Sequence, residues 1–298
     1  MEKNFKRILA FVFVLVLCMT AMTSALAETE AEYIKKTIKD PRILKAVINA
    51  VGGEANLTGE NIRKIETLAV TDKGIQELEG IQMLTGLKNL DLSGNNLEVI
   101  AQLSSLSKLE KLDLSGNAKL REIAPLGGDA GGNAFMPNLK ELDLSGTGVE
   151  NIAPLCVVTS LEVLDLSDNG LEDIRPLSTL TKMKILDLSN NDLEELAPLY
   201  TLTNLEKLDL SSNKIADTRP LVSLKKLKVL DASDNLIENL AYINKLTGLT
   251  SLDLSNNPAT KVDVSKLPKT GDSSNLMLWM GILVISMAAF AASKKVRT

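Results

Sequence analysis

The chain has 298 residues, 45% of them hydrophobic but only 3% aromatic, and it carries a net charge of −5 with no histidine. The missing histidine removes Ser-His-Asp and Cys-His nucleophile pairs, histidine acid/base work and His-ligated zinc, so no catalytic constellation is expected and an enzyme is disfavoured. Of the two cysteines, Cys18 lies in an N-terminal apolar run and only Cys156 is left for the folded part, which excludes an intrachain disulfide.

At the N-terminus, Lys3, Lys6 and Arg7 precede an apolar stretch from Ile8 to Met19 and small residues ending in Ala25-Leu26-Ala27. Residues 1–27 read as a secretory signal peptide, because the apolar run is shorter than the roughly 20 residues a spanning anchor needs. Residues 28–64 read as a small helical cap. Within it, Asp40-Pro41 gives an N-cap and first helical residue, Ile43, Leu44, Val47, Ile48 and Val51 make one apolar face, and Gly52-Gly53 ends the helix. A second short helix is expected to start at Thr58, the two together covering the leucines of a repeat array that begins near residue 65.

Residues 65–266 are one repeat counted about nine times. The frame Leu87-x-x-Leu90-x-Leu92-x-x-Asn95-x-Leu97-x-x-Ile100-x-x-Leu103-x-x-Leu106 recurs every 22 residues, with Asn95, Asn117, Asn169, Asn191, Asn213, Asn235 and Asn257 in register. Between Asn117 and its next counterpart Thr147 eight residues are extra, seven of them in Gly127 to Asn133, and the first repeat has Lys73 at the ladder position. Leu90-Asp91-Leu92 alternates as a strand buried on one face does. The implied architecture is an α/β solenoid of leucine-rich repeats, with a parallel sheet on the concave side and inward asparagines satisfying backbone groups of the turns. Pro125, Pro154, Pro176, Pro198 and Pro220 interrupt ordinary helix, so the convex side should be 3₁₀ turns.

Outward on the concave strands stands a column of carboxylates, Asp91, Asp113, Asp143, Asp165, Asp187, Asp209, Asp231 and Asp253. It reads either as a stripe for cations or a basic partner, or as aspartates hydrogen-bonded to the serine two places on; acid/base catalysis is not expected, since identical neighbours have no reason to acquire separated pKa values. The place before each leucine varies: Asn89, Lys111, Glu141, Val163, Ile185, Lys207, Val229, Ser251. Exposed Val163 and Ile185 adjoin, and a partner would sit there, with Lys207 and Val229 in the same row and Asp165, Asp187, Asp209 and Asp231 beside them. The Gly127 to Asn133 insertion reads as a flexible bulge rather than a metal loop, and Cys156 as a passive, half-exposed thiol. No metal or cofactor is implied.

After the repeats, residues 267–298 hold Leu267-Pro268-Lys269-Thr270-Gly271, an apolar run from Leu276 to Ala292, and Lys294, Lys295 and Arg297. The arrangement resembles the L-P-x-T-G sorting signal of Gram-positive bacteria. That resemblance implies a membrane sortase cutting between Thr270 and Gly271 and joining the threonine carbonyl to a peptidoglycan precursor amine, the tail being inserted in the membrane only until then. Removing the six basic and two acidic residues of the two ends takes the net charge from −5 to −9, which repels nucleic acid.

From about Asp40 to Val262 the 22-residue period, the Ile-x-Pro-Leu turn and the helical cap are similar to the internalin class of bacterial leucine-rich-repeat surface proteins. The resemblance implies a secreted, monomeric, wall-anchored protein that binds another protein through its concave sheet. Two features depart from the class. No immunoglobulin-like domain or long stalk follows, only Val264, Ser265 and Lys266 standing between the last strand and Leu267, and the concave face lacks aromatic anchors. A wall-resident scaffold that binds the bacterium's own envelope proteins is the alternative.

Overall fold

A computed structural model describes residues 30–259. The signal peptide, the sorting signal from Leu267 to Gly271 and the strand expected to run to within three residues of Leu267 lie outside the described residues. Repetition dictates the rest: each 22-residue unit places one apolar strand and one turn, and successive units stack. Among the described residues nine strands result, β1 (Thr67–Ala69), β2 (Asn89–Asp91), β3 (Lys111–Asp113), β4 (Glu141–Asp143), β5 (Val163–Asp165), β6 (Ile185–Asp187), β7 (Lys207–Asp209), β8 (Val229–Asp231) and β9 (Ser251–Asp253). They form one parallel sheet in chain order, each central leucine facing the next, as Leu164 faces Leu186.

Proline at the start of a 3₁₀ turn needs no amide donor there, and the convex side is built on that fact. Ala124–Leu126, Ala153–Val157, Arg175–Thr179, Ala197–Thr201 and Arg219–Ser223 are all 3₁₀ turns with proline in the first positions. Between sheet and turns runs a single aliphatic core from Ile34 to Leu252, leucine-dominated as the near absence of aromatics requires. One position breaks the pattern. Thr218 stands where Ile100, Ile123, Ile152, Ile174 and Leu196 stand in other repeats; it is 2% exposed and its hydroxyl has no hydrogen-bond partner.

The cap holds three helices, one more than the sequence signals announce: α1 (residues 30–37), α2 (Pro41–Ala50) and α3 (Gly59–Ile62). Asp40 caps α2 by accepting from the Arg42 and Ile43 amides at 2.8 and 3.4 Å, and Thr58 caps α3. Although burial pulls it upward, the Arg42 hydrogen bonds hold the Asp40 carboxyl below its ordinary value. Arg42 also donates to the Lys73 carbonyl, clamping the cap to the first turn. Where α1 ends, a β-carbon on Gly80 would come within 2.6 Å of the Ile38 backbone, and Gly80 has a φ of +97° that only glycine adopts freely.

The 127–133 insertion is pinned. The Asp129 carboxylate accepts from the Gly131 and Asn133 amides, both at 2.9 Å, and Gly128 bridges Ala134 in antiparallel fashion. The bulge expected from the sequence is closed by this single aspartate.

Candidate functional site

The concave face follows from the strand pleat, which turns the first and third residues of each strand outward and the leucine inward. Below that face the asparagine ladder sets the turn geometry. Asn191 is typical: its Nδ2 donates to the carbonyls of Leu166 and Leu188, both at 3.0 Å, while its Oδ1 accepts from the amides of Gly170 and Leu171, both at 2.9 Å. Each ladder residue thus bonds its own turn and the one before. Asn95, Asn117, Asn191, Asn213 and Asn235 are buried, whereas Asn169 and Asn257 are half-buried. Lys73 is exposed, so the buried ladder begins at Asn95, which accepts from the Lys73 amide at 3.1 Å. Thr147 holds the ladder place after the insertion, with its hydroxyl 2.7 Å from the Leu144 carbonyl and 2.9 Å from Asn169 Oδ1.

A second row, unannounced by the sequence, lies one residue before the ladder. Asp72, Gly94, Gly116, Gly146, Asp168, Asn190, Ser212, Asp234 and Asn256 all have φ between 53° and 66°. The composition of the row, glycine plus small polar residues that tolerate the left-handed region, was the available signal.

The aspartate column is hydrogen-bonded as the second of the two readings has it. From Asp91 to Asp231 each Oδ1 accepts from the serine two places on, through both amide and hydroxyl, as in Ser189 to Asp187 at 2.9 and 2.7 Å. These carboxylates are half-buried to buried, so the column is less open than an outward position suggests. Burial, then the charges of Asp165 and Asp113, push the Asp143 carboxyl up to about 7; burial, then Asp231, pushes Asp209 up to about 6. Asp113, Asp165, Asp187 and Asp231 are raised as well, burial leading in each. The shifts share one direction and one leading cause, burial, as expected of near-identical neighbours. Among the described residues no group of three or more His, Cys, Asp or Glu is arranged to hold a metal ion.

Beside the column the variable row is brought together as expected. Val163 pairs with Ile185, Ile185 with Lys207 and Lys207 with Val229 in adjacent strands. All four are half-buried rather than exposed, since strands about 4.8 Å apart shield one another's side chains. Lys111 and Glu141 in the same row are joined by an ion pair at 2.7 Å. Just before the strands, glutamate and lysine alternate strictly: Lys88 pairs with Glu66 at 2.7 Å, Lys140 with Glu110 at 3.2 Å, Lys184 with Glu162 at 2.6 Å and Lys228 with Glu206 at 2.8 Å. Cys156 is a free thiol, half-buried on a convex turn.

The family profile described as leucine-rich repeats in two copies matches residues 85–128, 137–179, 159–199, 181–223, 203–242 and 225–269, breaking where the insertion lies. Among solved structures, internalin C2 of Listeria monocytogenes is 32% identical, covering 74% of this chain and 96% of its own, with a TM-score of 0.69. Internalin F of the same organism is 29% identical over 78% of this chain and 67% of its own, with a TM-score of 0.71. The functional domain of InlJ from Listeria monocytogenes, described as including a cysteine ladder, shares the fold at 23% identity and a TM-score of 0.63. No curated protein matches the chain in sequence.

Proposed function

The chain belongs to the leucine-rich-repeat family in its internalin-like form, and from that membership we propose that it is a secreted, cell-wall-anchored protein that binds another protein through its concave sheet. The observation that carries the binding reading is the row from Glu141 to Val229, where side chains vary within a frame that is otherwise constant. At its centre Val163 and Ile185 form an apolar step on a polar face, flanked by aspartates 165, 187, 209 and 231. An apolar ridge with a basic rim on the partner complements that surface.

The test compares the parent with the Val163→Lys, Ile185→Lys double variant in pull-downs against host surface proteins and against the bacterium's own exported proteins. Both side chains point away from the core, so capture should be lost with little change in melting. Capture that survives the double change, but is lost when residues 127–133 or the convex turns are substituted, overturns the concave assignment.

Wall anchoring rests on the Leu267 to Gly271 motif with its apolar tail and basic end. A wall-resident scaffold is favoured by one observation, that only thirteen residues lie between the end of β9 at Asp253 and Leu267. Poor antibody or protease access to the domain on intact cells would select that scaffold reading; ready access selects a surface binder.

A further inference from the structure

An asparagine followed by glycine is the dipeptide most prone to modify itself, because with no β-carbon in the way the glycine nitrogen can close onto the preceding side-chain carbonyl. The chain holds one such pair, Asn169-Gly170, and it stands in the asparagine ladder. Every other ladder asparagine is followed by a residue with a side chain. The turn itself does not demand this glycine, since Asp192 and Lys214 fill the equivalent place in the next two repeats without a positive φ. At Gly170 the backbone has space around it: φ is +127°, and a β-carbon there would meet nothing within 4 Å.

Two sets of hydrogen bonds hold the pair unreactive. The Asn169 carboxamide is fixed from both ends, its Nδ2 donating to the carbonyls of Leu144, Leu166 and Ser167 at 3.0, 3.0 and 2.9 Å. Its Oδ1 accepts from the Thr147 hydroxyl and from the amides of Gly148 and Val149 at 2.9, 2.7 and 3.1 Å. The attacking atom is held separately, by the next repeat: the Gly170 N–H donates to Asn191 Oδ1 at 2.9 Å. Ring closure needs that N–H free and the carboxamide turned over it, so both sets must open together.

We propose that Asn169 is a deamidation site latched by Asn191, and that it reacts when the turn of the sixth repeat lifts from that of the fifth. The Gly170 nitrogen then bonds to Asn169 Cγ, the Cγ–Nδ2 bond breaks, and ammonia leaves with the proton that Gly170 gives up. Solvent water opens the resulting succinimide at either carbonyl, leaving aspartate or isoaspartate. The change is one-way in structure as well as chemistry. A carboxylate only accepts, so it faces the carbonyls of Leu144, Leu166 and Ser167 with no proton to offer, and the ladder cannot close again at the junction of β4 and β5. A passing local opening is thereby recorded as a permanent negative charge.

The test is peptide mapping by mass spectrometry of the full chain in detergent, incubated in mildly alkaline buffer, and it needs no binding partner. In the folded parent, Asn169 should deamidate more slowly than in unfolding urea by on the order of a hundredfold or more. Asn191→Ala and Asn213→Ala remove ladder residues of like burial, 7% and 8% exposed, but only the first frees the Gly170 amide. Asn191→Ala should therefore speed the reaction at Asn169 by on the order of tenfold over Asn213→Ala, and Gly170→Asp should suppress it in urea and buffer alike. The proposal is overturned if Asn169 reacts equally fast in the folded and unfolded parent, or if another asparagine leads in urea. Equal acceleration by the two alanine variants overturns the latch, leaving general loosening of the array as the cause.

Discussion

Replacing Asn191 by alanine removes five hydrogen bonds at the middle of the array, three from its amide to the carbonyls of Leu166, Leu188 and the partly buried Ser189, and two to its oxygen from the amides of Gly170 and Leu171. The Leu171 amide and the Leu166 and Leu188 carbonyls are buried, and an orphaned buried backbone group costs about 1–3 kcal/mol. The Gly170 amide is only partly buried and can turn to water. Taking three orphans near the lower end of that range gives a loss of about 3–5 kcal/mol. At about 2–4 °C per kcal/mol for a domain of this size, the melting midpoint should fall by about 6–20 °C. Asn169→Ala supplies the internal comparison. It removes equivalent bonds, to Leu144 and Leu166 and from Gly148 and Val149, but from a half-buried site where water can substitute, so it should cost roughly half as much. Urea and thermal melts of both variants measure the difference. A loss under about 1 kcal/mol for Asn191→Ala, or a larger loss at Asn169 than at Asn191, refutes the argument that cost tracks burial of the orphaned groups.

Thr218→Val deletes the partnerless hydroxyl at nearly constant volume and should raise stability by about 1–2 kcal/mol in a urea melt; a decrease would mean the hydroxyl is bonded. Gly116→Ala meets nothing closer than 3.5 Å, so its loss of about 1–2 kcal/mol is backbone strain alone, while Ser212→Gly at the equivalent left-handed place should move the midpoint upward. The raised carboxyls of the concave column bind protons more tightly in the folded than in the unfolded chain. Their stabilisation is therefore complete below about pH 4 and is lost as the pH rises through about 6 and 7, the values of Asp209 and Asp143. Asp40, Glu60, Asp173 and Asp217, held low by basic partners, act the other way and withdraw stability below about pH 4. The melting midpoint should accordingly be higher at pH 5 than at pH 8, and Asp143→Asn should flatten that slope; a midpoint that climbs from 5 to 8 contradicts the assignment. Thr270→Ala should shift the protein from the wall to the membrane and medium fractions, and unchanged wall labelling would end the sortase reading.

The fold was legible because its signals are redundant. A 22-residue period fixes strand, ladder and turn together, and Asp40-Pro41 with Gly52-Gly53 delimits α2 without help from tertiary contacts. Helix α1 escaped because residues 30–37 carry no cap signal as clear as that of α2, and its burial of Ile34 and Ile38 is decided by what it lands on. The left-handed row escaped for the opposite reason: Asp, Gly, Asn and Ser share a backbone tolerance and no side-chain chemistry, so a search for residue type passes over them. In the candidate site the adjacency of Val163 and Ile185 could be read off directly, but how far neighbouring strands shield them could not. Exposure is a property of the stack. The same holds for the aspartates, whose carboxyls are raised by burial and by one another's charge once the repeats stack.

The alternation of glutamate and lysine ahead of the strands has a period of two repeats, not one. Losing a single repeat would set Lys140 against Lys184 across the new junction, whereas losing two would set Lys140 against Glu206 and leave the series intact. An exposed pair contributes only about 0.2–1 kcal/mol, but like charges facing each other reverse its sign. An array that gains or loses two units therefore keeps every pair of the series, whereas a change of one unit leaves a like-charge clash at the junction.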